Sequence, residues 1–293
     1  MPDLTLTLCP HIVTNVLSCP VCGADMYISQ NSQSLLCKGV KTHCFDGGGG
    51  GYVPLAPKHS GGGDSKEAVR FRTAFLSKGY YQPAAEALCK LVQAYIPTGG
   101  VVIDAGCGEG YYSNRIAGRG YHVLGVDLSK FAVDTAAKTA KRVSMAKGTQ
   151  PCTAYAVGSV FELPARDACA DCVVNIFAPC APASYARVLK EGGYLMVAGA
   201  GDDHLMGLKQ RIYDNPYLNE GRRDLPVEGE YFTLVEKITT RFDITVTGGE
   251  DLQALFSMTP YYWRTSQSGH EKLTQTDTLQ TPVTFDFFVY KKI

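Results

Sequence analysis

The chain has 293 residues, 45% of them apolar, and Lys+Arg and Asp+Glu balance at 28 each. That length suits one large domain, or a large and a small one; the neutral charge argues against a broad polyanion-binding surface, though not against a local basic patch. No stretch approaches the roughly 18 uninterrupted apolar residues of a membrane helix, and "MPDLTLTLCPHIVTNVLSCP" lacks the basic start of a secretory signal, so a cytoplasmic protein with no membrane partner is expected.

Residues 1–57 read as a small N-terminal unit. Cys19-Pro20-Val21-Cys22-Gly23 is a C-x-x-C-G knuckle, and Cys37 and His43 follow after "ADMYISQNSQSLL", a stretch of hairpin length. Three thiolates and one imidazole make a tetrahedral zinc set, closed and therefore structural. Cys44 is a substitute for His43, and Cys9 and His11 are decoys. The competing readings are a redox pair or unligated thiols, but a redox C-x-x-C precedes a helix in a βαβ unit, and here a turn-like "GAD" follows. Cys169, Cys172 and Cys180 sit in apolar runs and read as small buried hydrophobes with free thiols, which fits a reducing compartment.

The Gly47–Gly51 run is costly to order, and "KHSGGGDSK" reads as a flexible connector. From residue 67 the apolar spacing is helical, broken at Gly79 and Pro83. Strand and helix patterns then alternate: "GGVVIDAG", "YYSNRIAGRG", "YHVLGVD", "SKFAVDTAAKTAKRV" with Ser129 as its N-cap, "TAYAVG", "ADCVVNIFA", "PASYARVLKEGG" and "YLMVAGA". Such alternation predicts an α/β fold, a Rossmann-like parallel sheet with helices on both faces, over residues 58–293. The tail segments "TLVEKITTRFDITV", "EDLQALFSMTP" and "VTFDFFVYKK" read as strand, helix and strand completing the same sheet.

The turn after the first of these strands carries the chemistry. Asp104 ends the strand, Gly106, Cys107 and Gly108 form the turn, and Gly110 opens the next helix. Missing side chains let the backbone approach a ligand. Asp127 ends the following strand, where a carboxylate can accept both ribose hydroxyl protons of an adenosine. A dinucleotide favours G-x-G-x-x-G, but here the spacing is G-x-G-x-G. Asp104 and Glu109 would also repel a pyrophosphate, whereas they suit S-adenosylmethionine, which carries a sulfonium and an ammonium. The bland alternative is a ligand-free glycine turn. Arg70, Arg72, Lys78, Lys209, Arg222 and Arg223 are candidate phosphate contacts, each read first as a solvated charge.

The ordered stretches "CPVC", "HCFDGGGGGYVPL", "GDSKEAVRFRTAFLSKGYYQP", "VIDAGCGEGYYS", "LGVDLSKFAV", "LPARDACADCVVNIFAPC", "RVLKEGGYLMVAGAGDDHLMGLKQRIYDN" and "FSMTPYYWR" are similar to the bacterial 23S rRNA (guanine-N1)-methyltransferases of the RlmA type. Asn175 stands where that family has a basic residue. The resemblance implies a class I methyltransferase sheet behind a zinc ribbon that recognises substrate, and methyl transfer to guanine N1 of 23S rRNA. It implies zinc on Cys19, Cys22, Cys37 and His43, and S-adenosylmethionine contacts at Tyr81, Gly108, Glu109 and His204. Phe177 is a candidate for stacking on the base, and Asp202 and Asp203 are candidate bases by location. Two alternatives stay open: a methyltransferase of the same fold acting on a small molecule, and a non-catalytic zinc-ribbon RNA-binding protein.

Overall fold

The computed structural model describes residues 6–56, 62–219 and 229–293. After a short helix α1 (Pro10–Asn15), strands β1 (Met26–Ile28), β2 (Ser34–Cys37) and β3 (Cys44–Asp46) form a three-stranded antiparallel sheet. It contains the hairpin expected between Cys22 and Cys37. The glycine run then turns the chain back: a Cβ on Gly48 would lie 2.1 Å from the Tyr52 ring, so only glycine lets that buried ring close over the turn.

β4 (Val53–Pro54) pairs in parallel with β7 (Thr153–Val157) and forms the edge of the main sheet. Leu6, Leu8, Ile12, Val16 and Leu17 share one apolar cluster with Ile103, Leu124 and Val173. The N-terminal segment is thus packed into the core of the larger sheet.

The predicted break at Gly79 and Pro83 separates α2 (Lys66–Ser77) from α3 (Gln82–Tyr95). Ser65 caps α2 by accepting the Ala68 amide, and Gly79 has φ +84°, a left-handed turn that ends the helix region. The alternation follows as β5 (Val101–Ala105), α4 (Tyr111–Ala117), β6 (His122–Asp127), α5 (Lys130–Lys147), β7, β8 (Ala170–Ile176), α6 (Pro182–Val188), β9 (Leu189–Ala200) and α7 (Met206–Ile212). Ser129 caps α5 as expected, accepting the Ala132 amide. The tail gives β10 (Phe232–Thr247), α8 (Gly249–Ser257), α9 (Gln267–Thr274) and β11 (Thr278–Lys292).

The eight strands run β10-β11-β9-β8-β5-β6-β7-β4; those from β9 to β4 pair in parallel, and β11 is antiparallel to both its neighbours. Residues alternate between faces along a strand: Ile103 and Val173 enter one apolar cluster, Val102, Cys172 and Val174 the other. Both faces are therefore covered, as a parallel sheet requires, and Cys172 is the buried hydrophobe its sequence context indicated. The strand order reverses between β5 and β8, which in such sheets opens a crevice beyond the strand ends. Among the described residues no helix is long and apolar enough to cross a membrane.

Candidate active site and metal centre

A cavity of about 1130 Å³ opens over that switch point. Its wall includes Gly106, Cys107, Gly108 and Glu109 from the turn after β5, Asp127 from the end of β6, and Ile176 and Phe177 from the end of β8. Gly106 has φ +87°, and a Cβ there would lie 2.3 Å from that of Ala178, so the glycine lets the two loops close on each other. Asp127 is fixed by two backbone donors: the Gly108 amide reaches Oδ2 at 3.0 Å and the Ser129 amide reaches Oδ1 at 2.7 Å. Burial pushes its carboxyl above the ordinary value in spite of those bonds.

Glu109 is bound by Arg72, whose Nε donates to Oε2 at 2.5 Å and whose other arm reaches Asp64. Arg72 of α2 thereby ties the segment before α2 to the glycine loop. The local charge is negative, with Asp64, Glu109 and Asp127 against Arg72, and this donor set fits a cationic nucleoside better than a pyrophosphate. Deeper in the cavity His204 Nδ1 accepts the Thr284 amide at 3.2 Å, and Nε2 lies 3.4 Å from the Tyr81 hydroxyl. Burial lowers the His204 pKa to about 4.

The second centre lies in the N-terminal segment. The ligand atoms of Cys19, Cys22, Cys37 and His43 all fall within 4.8 Å of one another. Cys22 Sγ is 3.7 Å from Cys37 Sγ, and His43 Nδ1 is 3.4 Å from Cys37 Sγ and 3.6 Å from Cys19 Sγ. Sulfurs about 2.3 Å from a tetrahedral zinc would stand about 3.8 Å apart, so these residues fit that ion. The His43 amide, 3.1 Å from Cys37 Sγ, helps hold the thiol down to about 6, the direction a thiolate ligand needs. Cys44 turns away to Asp46. Cys9 Sγ instead lies 3.4 Å from His122 Nδ1, and His11 stacks on His122, so neither decoy joins the cluster.

The family described as "Methyltransferase domain" matches residues 103–197, from β5 into β9. The "23S rRNA (guanine(748)-N(1))-methyltransferase" of Streptomyces fradiae is 33% identical over 202 residues, which cover 67% of each chain. The chain belongs to the 23S rRNA (guanine-N1)-methyltransferase family. This methyltransferase is also 29% identical over 213 residues to the "Putative 23S rRNA (guanine-N(1)-)-methyltransferase YxjB" of Bacillus subtilis, covering 69% of its own chain and 71% of the relative. The crystal structure of the YcgJ protein from Bacillus subtilis has a TM-score of 0.48 and 15% identity, covering 71% of this chain and 98% of that one.

Of the methyltransferase residues singled out in the sequence, the cavity wall brings together Tyr81, Gly106, Gly108, Glu109, Asp127, Phe177 and His204. Asp104 and Gly110 stand behind it. Asp104 is 1% exposed and accepts the Ser113 hydroxyl at 2.5 Å; burial raises its pKa to about 7. Gly110 serves packing: a Cβ would meet the Tyr155 hydroxyl at 2.7 Å and Ala136 at 2.8 Å. Asp203 is taken by Arg241 at 2.8 Å and by the Thr284 hydroxyl, and Asp202 is exposed; neither lines the cavity.

Among the basic candidates, Lys78 pairs with Asp251 and Lys209 is buried, while Arg222 and Arg223 lie outside the described residues. Asp64, Phe161, Asn219, Tyr261 and Arg264 also stand on the cavity wall, though the sequence alone does not mark them as site residues. Asp64 and Tyr261 lie inside the quoted "GDSKEAVRF" and "FSMTPYYWR" stretches, whose specificity was the available signal. Asn175 is fully buried, and its Nδ2 reaches the Pro179 carbonyl and the Tyr185 hydroxyl, both at 2.9 Å, so it braces the loop that carries Phe177.

Proposed function

We propose that this enzyme transfers methyl from S-adenosylmethionine to N1 of a guanine in 23S rRNA. The observation that carries the reading is the cavity over the switch point, with its acidic glycine loop, in a chain of this family. Its volume of about 1130 Å³ exceeds the roughly 300–1,000 Å³ of an ordinary small-molecule site, which leaves room for a base beside the cofactor. S-adenosylmethionine supplies the electrophilic methyl group. In this reading Asp127 accepts from its ribose hydroxyls, and the Tyr81 hydroxyl and the backbone around Gly108 and Glu109 hold its amino-acid end.

Guanine N1 sits on the pairing edge, so the base must leave its helix or loop before it can react. Phe177, 47% exposed at the cavity mouth, presents a ring for stacking. Phe161 stands on the same wall, 65% exposed. As the N1–CH3 bond forms and the sulfonium S–CH3 bond breaks, N1 also gives up its proton. Among the described residues the β9 side of the cavity carries no carboxylate to take it, so the proton passes to water, and orientation of the two reactants contributes to the rate. We assign residues 1–57 to substrate recognition around the zinc centre and residues 58–293 to catalysis, with β4 as the strand that joins them.

The test is transfer of labelled methyl to unmodified 23S rRNA, followed by digestion to nucleosides. Label in 1-methylguanosine, lost in Asp127→Ala, is the expected result. A protein that binds cofactor and zinc yet leaves the RNA unlabelled would overturn the reading.

A further inference from the structure

Lys209 of α7 is fully buried, at 0% exposure, a rare setting for an ammonium group. Among the described residues no carboxylate pairs with it. Its Nζ donates to the Tyr217 carbonyl at 2.9 Å and to Asn219 Oδ1 at 2.6 Å. It also lies 4.5 Å from the centre of the Tyr217 ring and 5.4 Å from that of Tyr261. Tyr217, Asn219 and Tyr261 all line the cavity, on the β9 side rather than at the glycine loop. The network extends further. Asn219 Nδ2 donates to the Gly201 carbonyl at 2.8 Å, the Asn219 amide donates to the Asp202 carbonyl at 2.7 Å, and the Tyr261 hydroxyl reaches Asn219 Oδ1 at 3.4 Å.

We infer that Lys209 is a positioning residue for the methyl acceptor, fixing from behind the cavity wall formed by Tyr217, Asn219 and Tyr261. This rests on the methyl-transfer reading above. An ammonium taken out of water must recover its lost hydration from charge-assisted hydrogen bonds and ring faces. Here those partners are the wall itself, so the cost of burying the charge is offset only while the wall keeps its shape. Removing the charge leaves the Tyr217 carbonyl without its donor and Asn219 Oδ1 with only the longer contact from the Tyr261 hydroxyl. None of these contacts involves Asp127 or the glycine loop, and the network reaches the cofactor side only through the long Asn219 Nδ2 contact to the His204 carbonyl at 3.5 Å, so cofactor binding should change far less than acceptor binding.

Lys209→Met keeps the length of the side chain and removes the charge, and Lys209→Arg restores the charge. In the full-length protein, amide exchange over residues 213–219 should quicken in Lys209→Met. Its affinity for S-adenosylmethionine should stay within about twofold while KM for 23S rRNA rises roughly tenfold, the scale of the buried hydrogen bonds lost. Lys209→Arg should recover part of that KM. Unchanged exchange together with unchanged KM would overturn the inference. So would a general loss of protection with loss of cofactor binding, which would mark Lys209 as support for the whole core. If the unaltered protein leaves 23S rRNA unmethylated, the underlying reading fails, and exchange over 213–219 alone then decides whether the lysine holds the wall.

Discussion

The Tyr81 hydroxyl lies 3.4 Å from His204 Nε2, while His204 Nδ1 accepts the Thr284 amide. A neutral imidazole that accepts at Nδ1 carries its proton on Nε2. His204 therefore donates to Tyr81, and the Tyr81 proton is left to point into the cavity. Burial keeps both groups neutral, lowering His204 to about 4 and raising Tyr81 above its usual range. Tyr81→Phe removes that donor and should weaken S-adenosylmethionine binding by roughly 1 kcal/mol with the fold intact. Titration calorimetry would read it, and an unchanged affinity would refute the assigned proton direction.

His204 and Asp104 give opposite pH dependences. The depressed His204 pKa contributes stability that is complete above the ordinary 6.5 and is lost as pH falls toward about 4. The raised Asp104 pKa contributes stability that is complete below the ordinary 3.8 and is lost as pH rises through about 7. The swings are at most roughly 3.5 kcal/mol for His204 and roughly 4.5 kcal/mol for Asp104, and over about pH 4 to 6.5 they largely cancel. Relative to the unaltered protein, Asp104→Asn should gain stability as pH rises across that window, and His204→Gln should lose it. Urea midpoints at several pH values would show this; parallel profiles for all three proteins would contradict it.

The zinc cluster predicts a sharp contrast between adjacent residues. His43 Nδ1 faces two of the sulfurs, whereas Cys44 Sγ points to Asp46 Oδ1 at 3.7 Å. Cys44→Ser should retain one zinc per chain, while His43→Ala should lose it. The metal energy is folding energy for such a segment, so chelation should also expose Leu35 and Met26, which are buried beside the ligands. Metal analysis and limited proteolysis of residues 6–56 measure the two effects. Zinc retained by His43→Ala would exclude it as a ligand.

The sheet was legible in the sequence wherever the apolar period was unbroken. From β5 to β8 each strand lies where the pattern indicated, because strands buried on both faces read as continuous apolar runs; β9 instead begins at Leu189, inside the stretch "PASYARVLKEGG" expected to be helical, because Leu189 pairs with Ala170 of β8. α9 was missed: "QSGHEKLT" has two buried residues, Gly269 and Leu273, too few to mark a helical face. β4 was missed because two residues carry no period at all, and its strand state is set by pairing with β7. In the site, Asp127 and the glycine turn were readable because one βαβ unit, β5-α4-β6, places them. Asn219 and Tyr261 were not: Asn219 lies in an irregular stretch with no apolar period, and Tyr261 meets Asn219 and Lys209 only through folding of segments far apart in the chain.

Phe177 has φ +54°, a left-handed backbone that a bulky residue seldom adopts. Its ring lies 5.0 Å from that of Phe285 and 5.8 Å from that of His204, yet it remains 47% exposed on the cavity wall. An aromatic residue kept at a strained position and half in solvent costs stability without filling the core, a pattern that occurs at functional sites. Two substitutions separate backbone strain from ring contact. Phe177→Ala removes the ring and keeps the strain, and Phe177→Gly removes both. The glycine protein should therefore be the more stable of the two by about 1 kcal/mol, against the usual order in which glycine is worse. Both should lose methyl transfer to RNA by at least roughly tenfold, the scale of one base–aromatic stack, while still binding S-adenosylmethionine. Denaturant midpoints and transfer rates on the two variants decide the matter: an alanine protein as stable as the glycine one would remove the strain argument, and full transfer by either would remove the stacking role.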